Sequence, residues 1–184
     1  MEFDIPITED LMREHGLLNR LLLIYEKLIS CKNLDYELTF ITAILIRSFI
    51  EDYHEKMEED YIFPLFNNEM TNILKEQHQI GRKLTDVILE NSQKEINPDL
   101  IKENITKFIF MYRAHESRED TEIFEKVREK ISKEQFEKIS DISEELEIKN
   151  FGENGYQKIL KEVIKIEKKL GVNSLDYYSD WSHI

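Results

Sequence analysis

Four of the five histidines, together with two glutamates, form a pattern that suits metal binding. His54 and His115 each open the phrase His-x-x-x-Glu, with Glu58 and Glu119 following four residues later. Residues four apart lie on one face of an α-helix, so each phrase presents an imidazole beside a carboxylate. The complete candidate set is His15, His54, Glu58, His78, His115 and Glu119. Six nitrogen and oxygen donors from four helices are enough to hold two metal ions inside a bundle.

Four long segments with apolar residues every three or four positions must position these side chains. The predicted helices span about residues 8–30, 35 into the 60s, 70–90 and 98–130. Each candidate histidine falls on the apolar stripe of its helix, which indicates that it points inward. Thr8 is a plausible N-cap of the first helix, and Pro64 ends or kinks the second. Asn97 followed by Pro98 is a strong start signal for the fourth.

The remainder of the chain predicts two shorter helices and a tail rich in aromatic residues. Ser132 and Gln135 resemble a capping box that opens one helix, and Gly171 ends the next. Five Gly and three Pro are too few for a sandwich or barrel, so the predicted fold class is all-α. We expect a four-helix bundle over residues 1–130 and, packed on it, a C-terminal helical extension with an aromatic tail over residues 131–184.

Composition narrows the possible functions. A chain of 184 residues with 41% hydrophobic and 34% charged residues is typical of one soluble domain. The net charge of −13 argues against binding to nucleic acid or to anionic membranes. The single cysteine, Cys31, excludes an internal disulfide framework and thiolate zinc sites of the finger type. We see no signal peptide and no apolar run long enough to span a membrane, so we expect a cytoplasmic protein.

The metal hypothesis competes with an ordinary structural interpretation. One histidine on an apolar stripe is usually a core residue with a single hydrogen-bond partner. Here four occur on successive helices, and buried carboxylates such as Glu58 and Glu119 are costly unless a cation compensates them. Imidazole and carboxylate ligands suit Fe, Mn, Zn or Co, and the expandable, oxygen-rich set fits iron better than zinc. We therefore predict two ions bridged by the two glutamates, with two imidazoles for each ion.

Four stretches of the chain resemble the hemerythrin-like, His-His-Glu cation-binding family. They are residues 9–15 (EDLMREH), 52–64 (DYHEKMEEDYIFP), 76–78 (EQH) and 112–120 (YRAHESRED). This resemblance implies an up-down-up-down bundle that holds a non-haem di-iron centre with an oxo or hydroxo bridge. It further implies reactivity toward O₂, NO or peroxide, with Zn or Mn as possible substitutes for iron. Residue by residue, it assigns the six candidate side chains as the ligands.

Two departures from the oxygen-carrying hemerythrins matter. Those proteins have a second histidine one turn from the first on the third helix, whereas His78 has Leu74 before it and Arg82 after it. They also use His-x-x-x-x-Asp on the fourth helix; Asp120 fits that spacing, but Glu119 gives the form of iron-sensing and stress-repair relatives. A site with one imidazole fewer is more open and is a poorer reversible oxygen carrier.

These departures leave three functional hypotheses. The first is a protein that binds or senses O₂, NO, peroxide or iron status at a di-iron centre. The second is a redox enzyme on the same scaffold that removes peroxide or NO or repairs iron–sulfur clusters. The third is an interaction module in which the metal only stabilises the fold.

Several other residues have two interpretations. Glu55 is either an additional ligand or a solvated helix residue, and the solvated alternative is favoured. Tyr53 and Tyr112 either donate hydrogen bonds near the ligands or pack in the core. Gly81 costs about 1 kcal/mol relative to Ala in mid-helix; it reflects either tolerance of slack or the close approach of a neighbouring backbone. His183, near the chain end, is expected to be a mobile surface residue.

Overall fold

The computed structural model describes residues 6–179, and this part of the chain is helical without any strand. Six helices are numbered α1 to α6 in chain order. Their bounds are α1 Ile7–Ser30, α2 residues 36–65, α3 Glu69–Gln93, α4 residues 98–130, α5 Lys133–Phe151 and α6 Gly155–Leu170. A short 3₁₀ turn, Leu175–Ser179, follows. The aromatic tail is therefore described only in part, and His183 lies outside the described residues.

Helix α1 begins at Ile7, one residue earlier than predicted. The expected N-cap at Thr8 is wrong, since Thr8 is buried inside the helix and no side chain caps its start. Pro6 precedes the first turn, and Glu9 and Asp10 place negative charge near the positive end of the helix dipole.

Helix α2 runs as predicted up to the region of Pro64, but it is not a regular α-helix. Its segments are α-helical Tyr36–Leu45, π-helical Ile46–His54, α-helical Glu55–Met57, π-helical Glu58–Ile62 and 3₁₀ Phe63–Leu65. Each π turn holds one extra residue, which rotates the following side chains relative to an ideal helix and is frequent at functional sites. Helix α4 is built in the same way, with Pro98–Arg118, the π segment Glu119–Phe124 and Glu125–Lys130.

The helix starts show which sequence signals act as expected. Ser132 and Gln135 form the predicted capping box at the start of α5. Asn97 occupies the predicted N-cap position of α4, but its backbone is left-handed and its amide donates to Asn91 instead of capping the helix. Gly171 ends α6 with a left-handed backbone, as the sequence predicts.

The four long helices pack side by side around one core. Helix α1 contacts α2 and α4, and α3 contacts the same two helices. Helices α5 and α6 both pack against α1 and α2, which joins the C-terminal part of the chain to the bundle. Within the described residues, no helix is long and apolar enough to cross a membrane.

Candidate metal centre

All six predicted side chains converge between the four long helices. Helix α1 supplies His15, α2 supplies His54 and Glu58, α3 supplies His78, and α4 supplies His115 and Glu119. Each of them is at least 97% buried. The sequence pattern therefore places the six donors together, and their role as metal ligands is argued below from the geometry.

Each imidazole is held from outside the cluster through its Nδ1 atom. The four pairs are His15 with Asp120 (2.8 Å), His54 with Glu14 (2.7 Å), His78 with Glu59 (3.0 Å) and His115 with Gln77 (2.9 Å). The partner atom is a carboxylate or carbonyl oxygen in every case, so Nδ1 must donate the hydrogen bond. In a neutral imidazole the other nitrogen, Nε2, then carries a free lone pair. This is the arrangement by which proteins orient histidines toward a metal.

The four Nε2 atoms face the carboxylates of Glu58 and Glu119. The shortest distances are 3.4 Å from His15 to Glu119, 3.5 Å from His54 to Glu58, 3.5 Å from His78 to Glu58, and 3.0 Å from His115 to Glu119. The Nε2 atoms of His78 and His115 also lie 3.0 Å from each other. Two lone pairs at that separation require a positively charged species between them or a proton on one of them.

The two glutamates supply the strongest test of whether the residues fit a metal. Both oxygens of Glu58 and both oxygens of Glu119 are buried without a hydrogen-bond partner among residues 6–179. A buried, unpaired carboxylate is strongly destabilising, and its charge must be met by protons or by a cation. Four unpaired oxygens facing four imidazole nitrogens form a donor set that suits a transition-metal ion.

The electrostatics of the six side chains show the same demand for positive charge. Burial lowers the pKa of His15, but its hydrogen bond to Asp120 and the nearby carboxylate of Glu119 outweigh burial and raise that pKa to about 10. Burial also lowers the pKa values of His54 and His78, but the carboxylates around these two histidines outweigh burial and raise both values. Burial raises the pKa of Glu119, yet the nearby histidines bring it well below its usual range. The carboxylates thus favour positive charge among the imidazoles, and a bound metal ion would supply such charge.

The donors divide into two overlapping pockets. In one, His15, His54 and Glu58 offer atoms that all lie within 4.8 Å of one another. In the other, the same limit holds for Glu58, His78, His115 and Glu119. We call these the α1–α2 pocket and the α3–α4 pocket. Glu58 belongs to both, and Glu119 also reaches His15 at 3.4 Å, so both carboxylates are placed between the two histidine pairs.

The π turns and two phenylalanines define the walls of the pockets. Glu58 and Glu119 are each the first residue of a π segment. Five residues after each glutamate, a buried phenylalanine stacks on a histidine of the opposite pocket. The ring of Phe63 lies 5.5 Å from His78, and the ring of Phe124 lies 5.4 Å from His15. These rings exclude water from the histidines, which strengthens electrostatic interactions inside the centre.

Glu55 shows that one sequence interpretation was wrong. It is 1% exposed rather than solvated. Arg82 pairs with its Oε2 at 2.7 Å, and the hydroxyl of Tyr112 donates to its Oε1. Tyr112 is thus a hydrogen-bond donor beside the centre, whereas Tyr53 interacts with Ser143 of α5.

Gly81 permits this arrangement. A Cβ atom at this position would lie 2.1 Å from the Tyr112 hydroxyl. The close neighbour is therefore a side chain and not the backbone that the sequence analysis considered.

Sequence reasoning missed four residues that hold the imidazoles: Glu14, Glu59, Gln77 and Asp120, the last of which was weighed only as an alternative ligand. A signal for them exists in the sequence. Residues 54–63 and 115–124 share the pattern His-Glu-x-x-Glu-acid-x-x-Ile-Phe. The acidic residue at the sixth position is Glu59 in one copy and Asp120 in the other, and each accepts from a histidine of the opposite pocket.

Comparison with known proteins decides the family. The Hemerythrin HHE cation binding domain matches residues 7–127, which cover α1 to α4. The chain belongs to the hemerythrin family. Uncharacterized proteins of Mycobacterium tuberculosis and Mycobacterium bovis are 37% identical to it over 194 aligned residues, covering 97% of this chain and 76% of each relative. No solved structure matches it significantly.

The family match explains why the centre is built from histidine and glutamate. The domain binds cations, and the described residues form two groups that could hold them at the positions that the sequence pattern predicted. This hemerythrin-family chain is therefore a metal-binding protein with an all-helical fold.

Proposed function

We propose that this protein holds two iron ions, one in each pocket, and binds or senses O₂, NO or peroxide there. The observation that carries the proposal is the sharing of Glu58 by both pockets, with both of its oxygens buried and unpaired. Glu119 belongs to the α3–α4 pocket and also reaches His15 of the α1–α2 pocket at 3.4 Å. The proposal includes an up-down-up-down course of the four long helices, as in other bundles with short loops.

Iron is favoured by the chemistry of the donors. Four imidazoles and two carboxylates, with no thiolate among them, suit Fe, Mn or Zn. The sum of donors is below the number that two five- or six-coordinate ions need, which leaves positions for an exogenous ligand. Bound iron would supply reversible oxidation and an electron-accepting position for a diatomic or peroxide ligand.

The protein's own residues set the properties of that centre. The carboxylates of Glu14, Glu59 and Asp120 fix the orientation of three imidazoles and increase their basicity. Phe63 and Phe124 keep water away from the histidines on which they stack. A small ligand therefore meets a dry pocket whose polar groups are already oriented.

Elemental analysis by ICP-MS tests this proposal. Protein produced in iron-rich medium should contain about two Fe per chain, because each pocket supplies two imidazoles and shares the glutamates. The His54→Ala variant should lose about one ion, since only the α1–α2 pocket is damaged. Wild-type protein that retains less than about half an ion per chain would contradict the proposal.

A redox enzyme is the second candidate function, and one arrangement favours it. Tyr112 donates to buried Glu55, which lies 4.0 Å from Nδ1 of His78, so a phenol and an acid adjoin the α3–α4 pocket. Such groups are able to donate protons during turnover of peroxide or NO. Stopped-flow spectroscopy of the iron-loaded protein with H₂O₂ and with NO distinguishes turnover from simple binding. The Tyr112→Phe variant should slow turnover without changing iron content.

Four features of the sequence interpretation stay predictions. They are the cytoplasmic location, the division of the chain near residue 130, the small diatomic or peroxide ligand, and the lack of nucleic-acid and membrane partners. Cell fractionation checks the first of these directly.

A further inference from the structure

A second group of carboxylates lies at the junction of α1 and α5, outside the two pockets. Asp10 and Glu14 come from α1, and Glu147 comes from α5. One oxygen from each lies within 4.8 Å of the others. Asp10 and Glu147 are partly exposed, whereas Glu14 is only 1% exposed. The group therefore extends from the surface inward to a buried acid.

Glu14 is the decisive member. Its Oε2 accepts a hydrogen bond from Nδ1 of His54 at 2.7 Å. Its Oε1 is fully buried and has no hydrogen-bond partner. A buried carboxylate oxygen without a donor is costly, so a cation within reach of Oε1 would remove the penalty.

The surrounding charges do not neutralise the three acids. Arg13 pairs with Asp10 at 2.5 Å, and its guanidinium lies 4.1 Å from the centre of the Tyr156 ring. Glu147 accepts a hydrogen bond from the backbone N–H of Tyr156 at 2.8 Å. When all three carboxylates are ionised, the Arg13 guanidinium and the imidazole of His54 together do not balance them, so negative charge is in excess.

The protonation of the same group reflects this excess. Burial, followed by the charge of Glu14, raises the pKa of Asp10 to about 7, although Arg13 opposes the shift.

We propose that Asp10, Glu14 and Glu147 bind a hard divalent cation, with water completing its coordination. Three carboxylate oxygens without imidazole or thiolate suit Ca²⁺, Mg²⁺ or Mn²⁺, in contrast to the imidazole-rich pockets. The partly exposed Asp10 and Glu147 give such an ion a route from solvent. None of the three ligands of this site is among the six donors of the pockets, although Glu14 holds one of those donors, His54, through a hydrogen bond.

The position of the site gives it a structural consequence. Helix α5 follows the region matched by the hemerythrin family, which ends at residue 127. A cation shared by α1 and α5 would fasten this later helix to the bundle. Because Glu14 also holds the ring of His54, the same ion would lie next to the outer support of the α1–α2 pocket.

Calcium titration of full-length, metal-loaded protein by isothermal calorimetry tests the proposal. Calcium is the probe because the imidazole-rich pockets are poor sites for it. Wild-type protein should bind about one Ca²⁺ per chain, and Glu147→Gln should weaken that binding by about tenfold or more. The matched control is Glu145→Gln, which removes the same charge from an exposed position on the same helix. It should leave the affinity within about twofold of wild type, since exposed charges are screened.

Two results would overturn the proposal. One is the absence of saturable Ca²⁺, Mg²⁺ or Mn²⁺ binding to the wild-type protein. The other is equal weakening by Glu147→Gln and Glu145→Gln, which would indicate general attraction to an acidic surface.

Thermal melts and infrared spectroscopy add independent readouts. Calcium should raise the melting temperature of wild type and of Glu145→Gln but not that of Asp10→Asn. In the infrared spectrum, a carbonyl stretch that disappears in Asp10→Asn belongs to the protonated acid of Asp10. Calcium should remove the same stretch from the spectrum of the wild-type protein. An unchanged stretch at saturating calcium would show that protons, and not a cation, compensate these acids.

Discussion

The two halves of the metal centre have the same arrangement of residues, and they differ in the charge of the side chains that accept hydrogen bonds from the histidines. Helices α1 and α2 supply one set of residues, and α3 and α4 supply the set at equivalent positions. The first set is Glu14, His15, His54, Glu58, Glu59 and Phe63; the second is Gln77, His78, His115, Glu119, Asp120 and Phe124. In both halves the residue before the first histidine holds the second histidine. In both, the acid after the glutamate holds a histidine of the opposite half.

The difference lies in the outer partners. His54 donates to the carboxylate of Glu14, whereas His115 donates to the neutral amide of Gln77. Glu59, which accepts the hydrogen bond from His78, also forms an ion pair with Arg82 at 2.6 Å. A carboxylate makes an imidazole a stronger donor than an amide does. The α3–α4 pocket therefore has the weaker donors, and we expect an ion held there to leave first.

The largest expected effect comes from Glu58, the donor shared by the two halves. Glu58→Ala should reduce the metal content from about two ions to well below one per chain, because both pockets lose a ligand. Elemental analysis after desalting measures the change. Glu125→Ala, an exposed position on α4, should keep the wild-type content. Equal losses in Glu58→Ala and His54→Ala would show that Glu58 serves only one pocket.

Glu51 is a further difference in charge between the two halves, because the residue at the equivalent position in the other half is the neutral Tyr112. Burial, followed by the charge of Glu55, raises the pKa of Glu51 from 4.5 to about 7. Between pH 4.5 and pH 7, Glu51 thus keeps its proton in the folded state and loses it in the unfolded state. The stability of the folded state therefore falls as the pH rises through this range. Glu51→Gln should increase the free energy of unfolding by roughly 2 kcal/mol at pH 8 and by little near pH 4.5.

Urea denaturation of Glu51→Gln at several pH values measures this difference. Glu37→Gln, which changes an exposed residue of the same helix, should have no pH-dependent effect. A gain that is the same at pH 8 and at pH 5 would contradict the assignment of the titrating group to Glu51.

The two glycines nearest the histidines of α1 and α3 should respond to alanine in opposite directions. Gly81→Ala would place Cβ 2.1 Å from the Tyr112 hydroxyl, so we expect a loss of roughly 1–2 kcal/mol. Gly16→Ala meets no atom within 4 Å and should gain up to about 1 kcal/mol from helix propensity. Denaturant unfolding compares them, and Tyr112→Phe should relieve part of the Gly81→Ala penalty. Stabilisation by both alanines would argue against the close packing at Gly81.

The smallest expected effect tests the charge difference itself. Gln77→Glu gives His115 the carboxylate partner that His54 already has, and it should slow loss of the ion from the α3–α4 pocket by about tenfold. Loss of metal to a chelator, measured by absorption, should occur in two kinetic phases in the wild-type protein. The rates of these two phases should become similar in the variant. A single phase in wild type would mean that the pockets hold their ions equally well.

The sequence predicted the helices and the convergence of the six donors because both depend on periodicity. Apolar residues every three or four positions indicate the inward stripe, and all four histidines fell on it. The family resemblance was also confirmed. The predicted break at Pro64 agrees with the 3₁₀ segment that ends α2.

The rest depends on contacts between distant residues. The π turns at Glu58 and Glu119 add one residue per turn, which a search at three- and four-residue steps does not reveal. Glutamate is usually exposed to solvent, and the burial of Glu55 is explained by its contacts with Arg82 and Tyr112, which lie on other helices. The partners of Nδ1 come from other helices in each case, so the repeated pattern of residues 54–63 and 115–124 indicates Glu59 and Asp120 but does not pair them with their histidines.

Crystallographic anomalous scattering at the iron edge tests the central claim most directly. Iron-loaded protein should show two anomalous peaks, one beside Nε2 of His15 and His54 and one beside Nε2 of His78 and His115. The carboxylate of Glu58 should contact both. A map in which these side chains surround only ordered water, or a single peak that Glu58 does not contact, would contradict the account.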